Sequence, residues 1–394
     1  MEFTAERRYR WRTRRTAEAN PLDAMGTPAL LLDHGVVLRN IGTMRERMAM
    51  LKVALRPHLK TAKSAKVAAL ATADQSAGIT VSTLKEAEYF LEHGYRDILY
   101  AVSIIPAKLD DVAALEAKGA RITILTDNVS VAWAIIERAR LSHTRFRVMI
   151  EVDTGGRRAG VLPESKELIG IGHLLDQASQ VELAGVLTHA GHAYHCRTVA
   201  EIKAIARQER DGIVLAAQRL RSAGLPCPIV SAGSTPTAVY AEDLHGVTEM
   251  RPGVYVFYDL DQLALGTCRR EDLALSVLAS VIGHNEHAGH LLIDAGALAL
   301  SKDISASEFR PEVGFGEVCD VWTLKPFPGL FIRAVHQEHG IVPIFERVWF
   351  ERLPVGSKVR ILPNHACLTA AAYHNYQVIE NGLVIDTWDR INGW

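Results

Sequence analysis

The sequence predicts an α/β fold: a (β/α)8 barrel followed by a second, C-terminal β-rich domain. Three observations carry this. Residues 50–260 alternate short apolar runs with helical patterns; from about residue 273 strand-like runs follow one another with few helices between; and 394 residues are too many for one ordinary domain and suit two. The expected organisation is a tail and an extra strand-like run over 1–34, the barrel over 35–265, and the β-rich domain over 266–394.

Taken in order, the extra strand is expected at 29–33. Barrel strands are expected at 53–58, 79–82, 97–102, 121–125, 146–152, 181–189, 229–232 and 249–257. Helices are expected at 65–72, 84–92, 106–118, 129–139, 163–177 and 199–223. Strands that alternate with helices pair in parallel. Eight such units close into a barrel, whose active site lies at the C-terminal ends of its strands. Further strands are expected at 273–283, 290–294, 317–324 and 358–362. Asn381-Gly382, between apolar runs at 376–379 and 383–387, is a hairpin signal.

Apolar residues make up 48% of the chain, enough for a sizeable core, and a net charge of −1 gives no bulk attraction to nucleic acid or membrane. Arg7, Arg8, Arg10, Arg12, Arg14 and Arg15 form a basic start with no apolar run behind it, so it is not a secretory signal. It reads as a solvated tail, with a transit leader as the alternative. No stretch approaches the ~20 uncharged apolar residues of a membrane helix. Five cysteines, odd in number and widely spaced, read as free thiols in a reducing cytoplasm.

Several segments could carry chemistry. In Arg56-Pro57-His58-Leu59-Lys60, alternation puts Arg56, His58 and Lys60 on one face of the first barrel strand. Lys60 then stands at the strand's C-terminal end, where a desolvated amine can serve as a Schiff-base nucleophile. By residue type alone, a solvated surface lysine is the commoner reading. Val230-Ser231-Ala232-Gly233-Ser234-Thr235-Pro236 runs from a strand into a small, hydroxyl-rich turn that can present N–H and O–H groups to a phosphate, or be a plain turn. Arg251-Pro252-Gly253-Val254 ends the last strand similarly, and late barrel strands often hold phosphate. The block 151–161 offers Arg158 to a cofactor oxygen or to a neighbouring carboxylate. Thr188-His189-Ala190-Gly191-His192-Ala193-Tyr194-His195 is a polar cluster at a strand end. His365-Ala366-Cys367 places imidazole and thiol two residues apart, suited to Zn²⁺ with open positions for water or substrate; a buried thiol is the default alternative.

Together, in this order, these segments resemble the D-serine dehydratase/D-threonine aldolase branch of the alanine-racemase-like (fold-type III) pyridoxal-phosphate (PLP) enzymes. Asp294-Ala295-Gly296 and Glu338-His339-Gly340 match as well, so the resemblance spans nearly the whole chain from Thr27. It implies a PLP-binding barrel in which Lys60 forms the Schiff base with PLP. Lys60 and His189 are then the catalytic residues. Ser231, Gly233, Ser234, Thr235, Gly253 and Val254 hold the phosphate, and His58, Arg158, His189, Tyr194 and Arg251 surround the ring. The resemblance also implies that the strand at 29–33 joins the β domain, that the β domain carries the metal pair His365 and Cys367, and that the chain forms a head-to-tail homodimer.

In this branch, D-threonine and hydroxyaspartate aldolases typically carry His-x-Asp where D-serine dehydratases carry His-x-Cys. His365-x-Cys367 therefore implies the dehydratase side, and thiolate favours Zn²⁺ over Mn²⁺ or Mg²⁺. Two departures stand out: Lys60-Thr61-Ala62-Lys63 where the family reads Lys-Thr-His-Lys, and His189-Ala190 where aldolases read Tyr-His. The expected activity is dehydration of a small β-hydroxy D-amino acid such as D-serine or D-threonine, with D-threonine or 3-hydroxy-D-aspartate aldolase as the alternative. A racemase would leave the metal pair without a task. A non-catalytic PLP carrier would not need the extra ~130 residues.

Overall fold

The computed structural model describes residues 21–73 and 77–394; the arginine-rich leader lies outside the described residues. Two sheets organise the chain. The first holds β2 (Ala54–Leu55), β3 (Ile79–Val81), β4 (Asp97–Ser103), β5 (Arg121–Thr126), β6 (Phe146–Glu151), β7 (Val181–Leu187), β8 (Ile229–Ala232) and β9 (Glu249–Met250). Their order is β2-β9-β8-β7-β6-β5-β4-β3, and neighbouring strands are parallel. A parallel bridge between His58 and Thr80 joins the two ends, with Leu59 N–H donating to Thr80 O at 2.8 Å. The sheet is thereby a closed eight-stranded barrel.

Two barrel strands are shorter than the sequence predicts. Regular pairing stops at Leu55 rather than residue 58, because Pro57 has no N–H to donate. The path nevertheless continues: Arg56 N–H donates to Met250 O and His58 N–H to Pro252 O, each at 2.9 Å. The strand expected at 249–257 ends at Met250, since Pro252 breaks the ladder and Val254–Val256 form a 3-10 turn.

The second sheet has ten strands. Its main path runs β13 (Pro326–Phe331), β12 (Glu317–Asp320), β16 (Lys358–Leu362), β10 (Leu275–Asn285), β1 (Ala29–Asp33), β17 (Asn375–Glu380) and β18 (Leu383–Asp389). β11 (His290–Ile293), β14 (Ala334–Val335) and β15 (Gly340–Pro343) branch from it. β1 pairs antiparallel with β10 and parallel with β17. The Asn381-Gly382 hairpin forms as expected, with φ of 50° and 78° at the two turn residues, the left-handed pair that a tight hairpin requires. The strand expected at 317–324 ends at Asp320, whose Oδ1 accepts from the N–H groups of Trp322 and Thr323 and turns the chain.

The sequence reading did not anticipate the helix His34–Met50. It is capped by the Asp33 side chain and buries Val37, Ile41, Met44 and Met48 at helical spacing. One continuous apolar core runs from Ile98, Ile122 and Val148 in the barrel to Val277, Ile361 and Val378 in the second sheet.

Candidate active site

The C-terminal ends of the barrel strands open onto two adjoining cavities of about 280 and 190 Å³, both walled by His58, Lys60, His189 and Arg251. The larger adds Ser82, Ser103, Glu151, Arg158 and Gly233; the smaller adds Tyr194, Ser234, Thr235, Gly253, Val254, His365 and Cys367. Of the site residues expected from sequence, Ser231 alone lies on neither wall. Its hydroxyl faces the barrel interior, donating to Glu249 Oε1 at 2.6 Å and accepting from Arg251 Nη1 at 2.5 Å. His192 and His195 of the polar cluster also stay off both walls.

Lys60 sits in the turn after β2, exposed to the cavities, and among the described residues its ammonium makes no hydrogen bond or ion pair. Arg158 is likewise exposed, on the loop after β6. Arg251 differs. Burial draws its guanidinium down to about 10, and its donors go to Ser231 Oγ, Ala232 O and Thr188 O inside the barrel. It braces the ends of β7 and β8 rather than reaching freely into the cavity.

The two histidines on the shared wall are neutral. Burial, then the charges of Lys60 and Arg251, holds His58 well below its ordinary value. Burial takes His189 down to about 3. His189 Nδ1 lies 3.0 Å from Gly233 O. A carbonyl only accepts, so Nδ1 carries the proton and Nε2 is left as an acceptor. Burial pushes the Tyr194 phenol up.

A residue the sequence reading missed supports this wall. Glu209, buried on the helix Val199–Ser222, accepts from the N–H groups of Ala190 (2.9 Å) and Gly233 (3.0 Å) through one oxygen. It ties the turn after β7 to the turn after β8. The signal was legible: Glu209 shares the apolar helix face with Ile202, Ala206, Ile213 and Ala216, where an acid needs a buried partner.

Across the smaller cavity, His365 and Cys367 follow β16. Cys367 Sγ lies 3.2 Å from the hydroxyl of Thr61, the residue after Lys60. Burial would lower the His365 imidazole, but its bond to Asp303 and the nearby Cys367 carry it up to about 11. Burial would raise the Cys367 thiol, but nearby His365 brings it below the ordinary value. The pair lines one wall of the smaller cavity. Buried Asp259 fixes its backbone by accepting from Ala366 N–H at 2.9 Å, and Asp261, raised to about 7 by burial and then by Asp259, lies on the same wall.

These groups fit PLP and a divalent ion. An unpartnered lysine, the Arg158 cation and the Ser234 and Thr235 hydroxyls match an aldehyde and a phosphate. Side chains at two glycines would crowd the cradle: a Cβ at Gly253 would meet His58 O at 3.0 Å, and one at Gly233 would meet Arg251 N at 3.0 Å. An imidazole and a thiol on one cavity wall suit a soft divalent ion. Among the described residues no group of three or more His, Cys, Asp or Glu is arranged to hold a metal. An ion here would thus keep open positions.

Known proteins resemble the chain along its length. Residues 32–261 match the family described as "Alanine racemase, N-terminal domain", and 274–379 the one described as "Putative serine dehydratase domain". D-threo-3-hydroxyaspartate dehydratase of Delftia sp. is 45% identical over 375 residues, covering 94% of this chain and 98% of that one. Its solved structure superposes with a TM-score of 0.92, covering 95% and 99%. The same enzyme has been solved as a cysteine-to-alanine variant in the metal-free form. D-serine dehydratase of Dictyostelium discoideum is 33% identical, covering 91% and 95%. The structure of D-threonine aldolase from Filomicrobium marinum is 27% identical with a TM-score of 0.82, covering 94% and 96%. With both domain families matched in order and a 45% identical relative aligned almost end to end, this chain belongs to the D-serine dehydratase/D-threonine aldolase branch of the alanine-racemase-like PLP enzymes.

Proposed function

We propose that this protein is a PLP- and zinc-dependent dehydratase that converts a β-hydroxy D-amino acid to a keto acid and ammonia. The observation that carries the reading is the 3.2 Å contact of Cys367 Sγ with Thr61 Oγ1. It brings an imidazole–thiolate pair beside Lys60 in one substrate-sized cavity. A base for the Cα proton and donors for a Lewis acid at the β-oxygen therefore face the same small molecule.

PLP, when bound, supplies an electron sink for the charge left at Cα. An ion on His365 and Cys367 would supply Lewis acidity at the β-hydroxyl, and the thiolate favours Zn²⁺ over Mn²⁺ or Mg²⁺. The chain's own residues do the rest. Lys60 Nζ takes the Cα proton. Arg158, with the hydroxyls of Ser234 and Thr235 and the backbone of Gly253 and Val254, binds and orients the phosphate and ring. His58 and His189, held neutral, add no competing positive charge beside Lys60, and His189 Nε2 can accept a hydrogen bond. Loss of the Cα proton and the β-hydroxyl removes one water. Hydrolysis of the resulting enamino acid returns one water and yields keto acid plus ammonia.

In this reading residues 35–265 hold PLP, 266–394 carry the metal pair, and the strand at 29–33 joins the β domain. The 45% identity to a D-threo-3-hydroxyaspartate dehydratase supports a D-configured substrate bearing a β-hydroxyl. Five free thiols support a reducing cytoplasm. Two copies form a homodimer. No helix among the described residues is long and apolar enough to cross a membrane.

The test is a product assay with D-serine, D-threonine and D-threo-3-hydroxyaspartate in the presence of PLP and Zn²⁺, with L-forms as controls. Keto acid and ammonia from D-forms alone are expected. Glycine plus an aldehyde would make the protein an aldolase and show that Cys367 does not decide the chemistry.

A further inference from the structure

We infer that Asp303 is the positioning residue of the metal centre: it fixes the rotation and tautomer of His365 so that the imidazole offers Nε2 to a divalent ion. The inference rests on His365 and Cys367 being the ligand pair proposed above.

Asp303 Oδ2 stands 3.3 Å from His365 Nδ1. A carboxylate accepts only, so Nδ1 must donate, which leaves Nε2 as the nitrogen that can bind a cation. Asp303 is not on the cavity wall that His365 and Cys367 share. It backs the imidazole from outside the site, as an orienting partner does.

Asp303 is itself held on several sides. Its Oδ1 accepts from Ser305 N–H (2.9 Å) and Ser305 Oγ (2.6 Å), so the carboxylate cannot swing away. Its backbone carbonyl accepts from Asn364 Nδ2 at 2.9 Å, and the same amide donates to Gly314 O at 2.7 Å. Asn364 is buried and directly precedes His365. The loop that presents the carboxylate is thus tied to the segment that presents the imidazole. Asp259 holds the next backbone N–H, at Ala366. With the backbone pinned on both sides of His365, ring rotation is the freedom that remains, and Asp303 removes it. Such partners typically set metal affinity by about 10- to 100-fold.

The experiment measures metal binding in the full-length, PLP-loaded protein. Zn²⁺ affinity is read by competition with a chromophoric chelator, and Co²⁺ serves as a spectroscopic probe of the ligand set. The wild type is expected to bind one ion per chain, and His365→Ala and Cys367→Ala to lose it. If the wild type binds none, the ligand-pair reading fails and the inference with it. Asp303→Ala is expected to weaken Zn²⁺ about 10- to 100-fold while the Co²⁺–thiolate absorption keeps its position. Asp303→Asn, which retains an acceptor oxygen and the side-chain shape, is expected to recover part of that loss. Wild-type affinity in both Asp303 variants would overturn the positioning role and leave the ligand pair standing. A changed Co²⁺ spectrum in both would make Asp303 a ligand, which also overturns it.

Discussion

His189 donates a hydrogen bond from Nδ1 to the carbonyl of Gly233, 3.0 Å away, and burial keeps the ring neutral against the pull of that bond. In the fold the ring takes a second proton only at about 3. In the unfolded chain it does so at about 6.5. Between those values the unfolded state binds more protons, so stability falls as pH drops through that window. At pH 5.5 this ring alone contributes a loss of about 1.4 kcal/mol. Thermal unfolding of the PLP-free protein at pH 7.5 and 5.5 checks it: His189→Asn should lose less on acidification than the wild type, and equal losses would count against a neutral His189.

Lys60 carries the proton transfer in the proposed reaction. Lys60→Ala should lower turnover by at least about 10²- to 10⁴-fold, the range of a single positioned base. Borohydride should fix PLP to the wild type and not to the variant, read by intact mass. Unimpaired turnover in Lys60→Ala would remove the base from the mechanism.

Metal removal should separate two events. A chelated protein is expected to lose keto-acid formation yet still exchange the Cα hydrogen of a D-substrate with D₂O, because Lys60 stands outside the metal pair. NMR of the recovered substrate reads this. Loss of exchange along with elimination would mean that the ion also organises proton removal.

Glu209 is the buried link between the turns after β7 and β8. Glu209→Ala strands two buried N–H groups, at Ala190 and Gly233, and should cost about 2–4 kcal/mol in urea unfolding. Glu209→Gln keeps an acceptor oxygen and should cost less than about 1 kcal/mol. Similar losses in both would mean that the carboxylate charge, rather than the two bonds, holds the turns.

Much of this was legible because the signals were local. Apolar alternation located every barrel strand, and Asn381-Gly382 specified its own turn. The features that were not legible depend on distant partners. Ser231 reads as a phosphate ligand in a hydroxyl-rich turn, but Glu249 on the next strand and Arg251 just after it draw its hydroxyl inward. Nothing near Asp303 in sequence points to His365; the two meet only when the β domain folds. The shortening at Pro57 and Pro252 could have been foreseen, since neither residue can donate to a ladder. The helix His34–Met50 was also within reach, from its Asp33 cap and its apolar spacing.

The placement of β1 has a consequence for biogenesis. Ala29 pairs with Leu278 and Leu31 with Gln377, so a strand from the start of the chain lies between two strands made much later. As the polypeptide leaves the ribosome, Leu30, Leu31 and Leu32 must wait with unpaired edges while the whole barrel is synthesised. The last sheet cannot close until the first strand is returned to it, so a nascent chain halted before β17 would expose this apolar edge to chaperones and proteases.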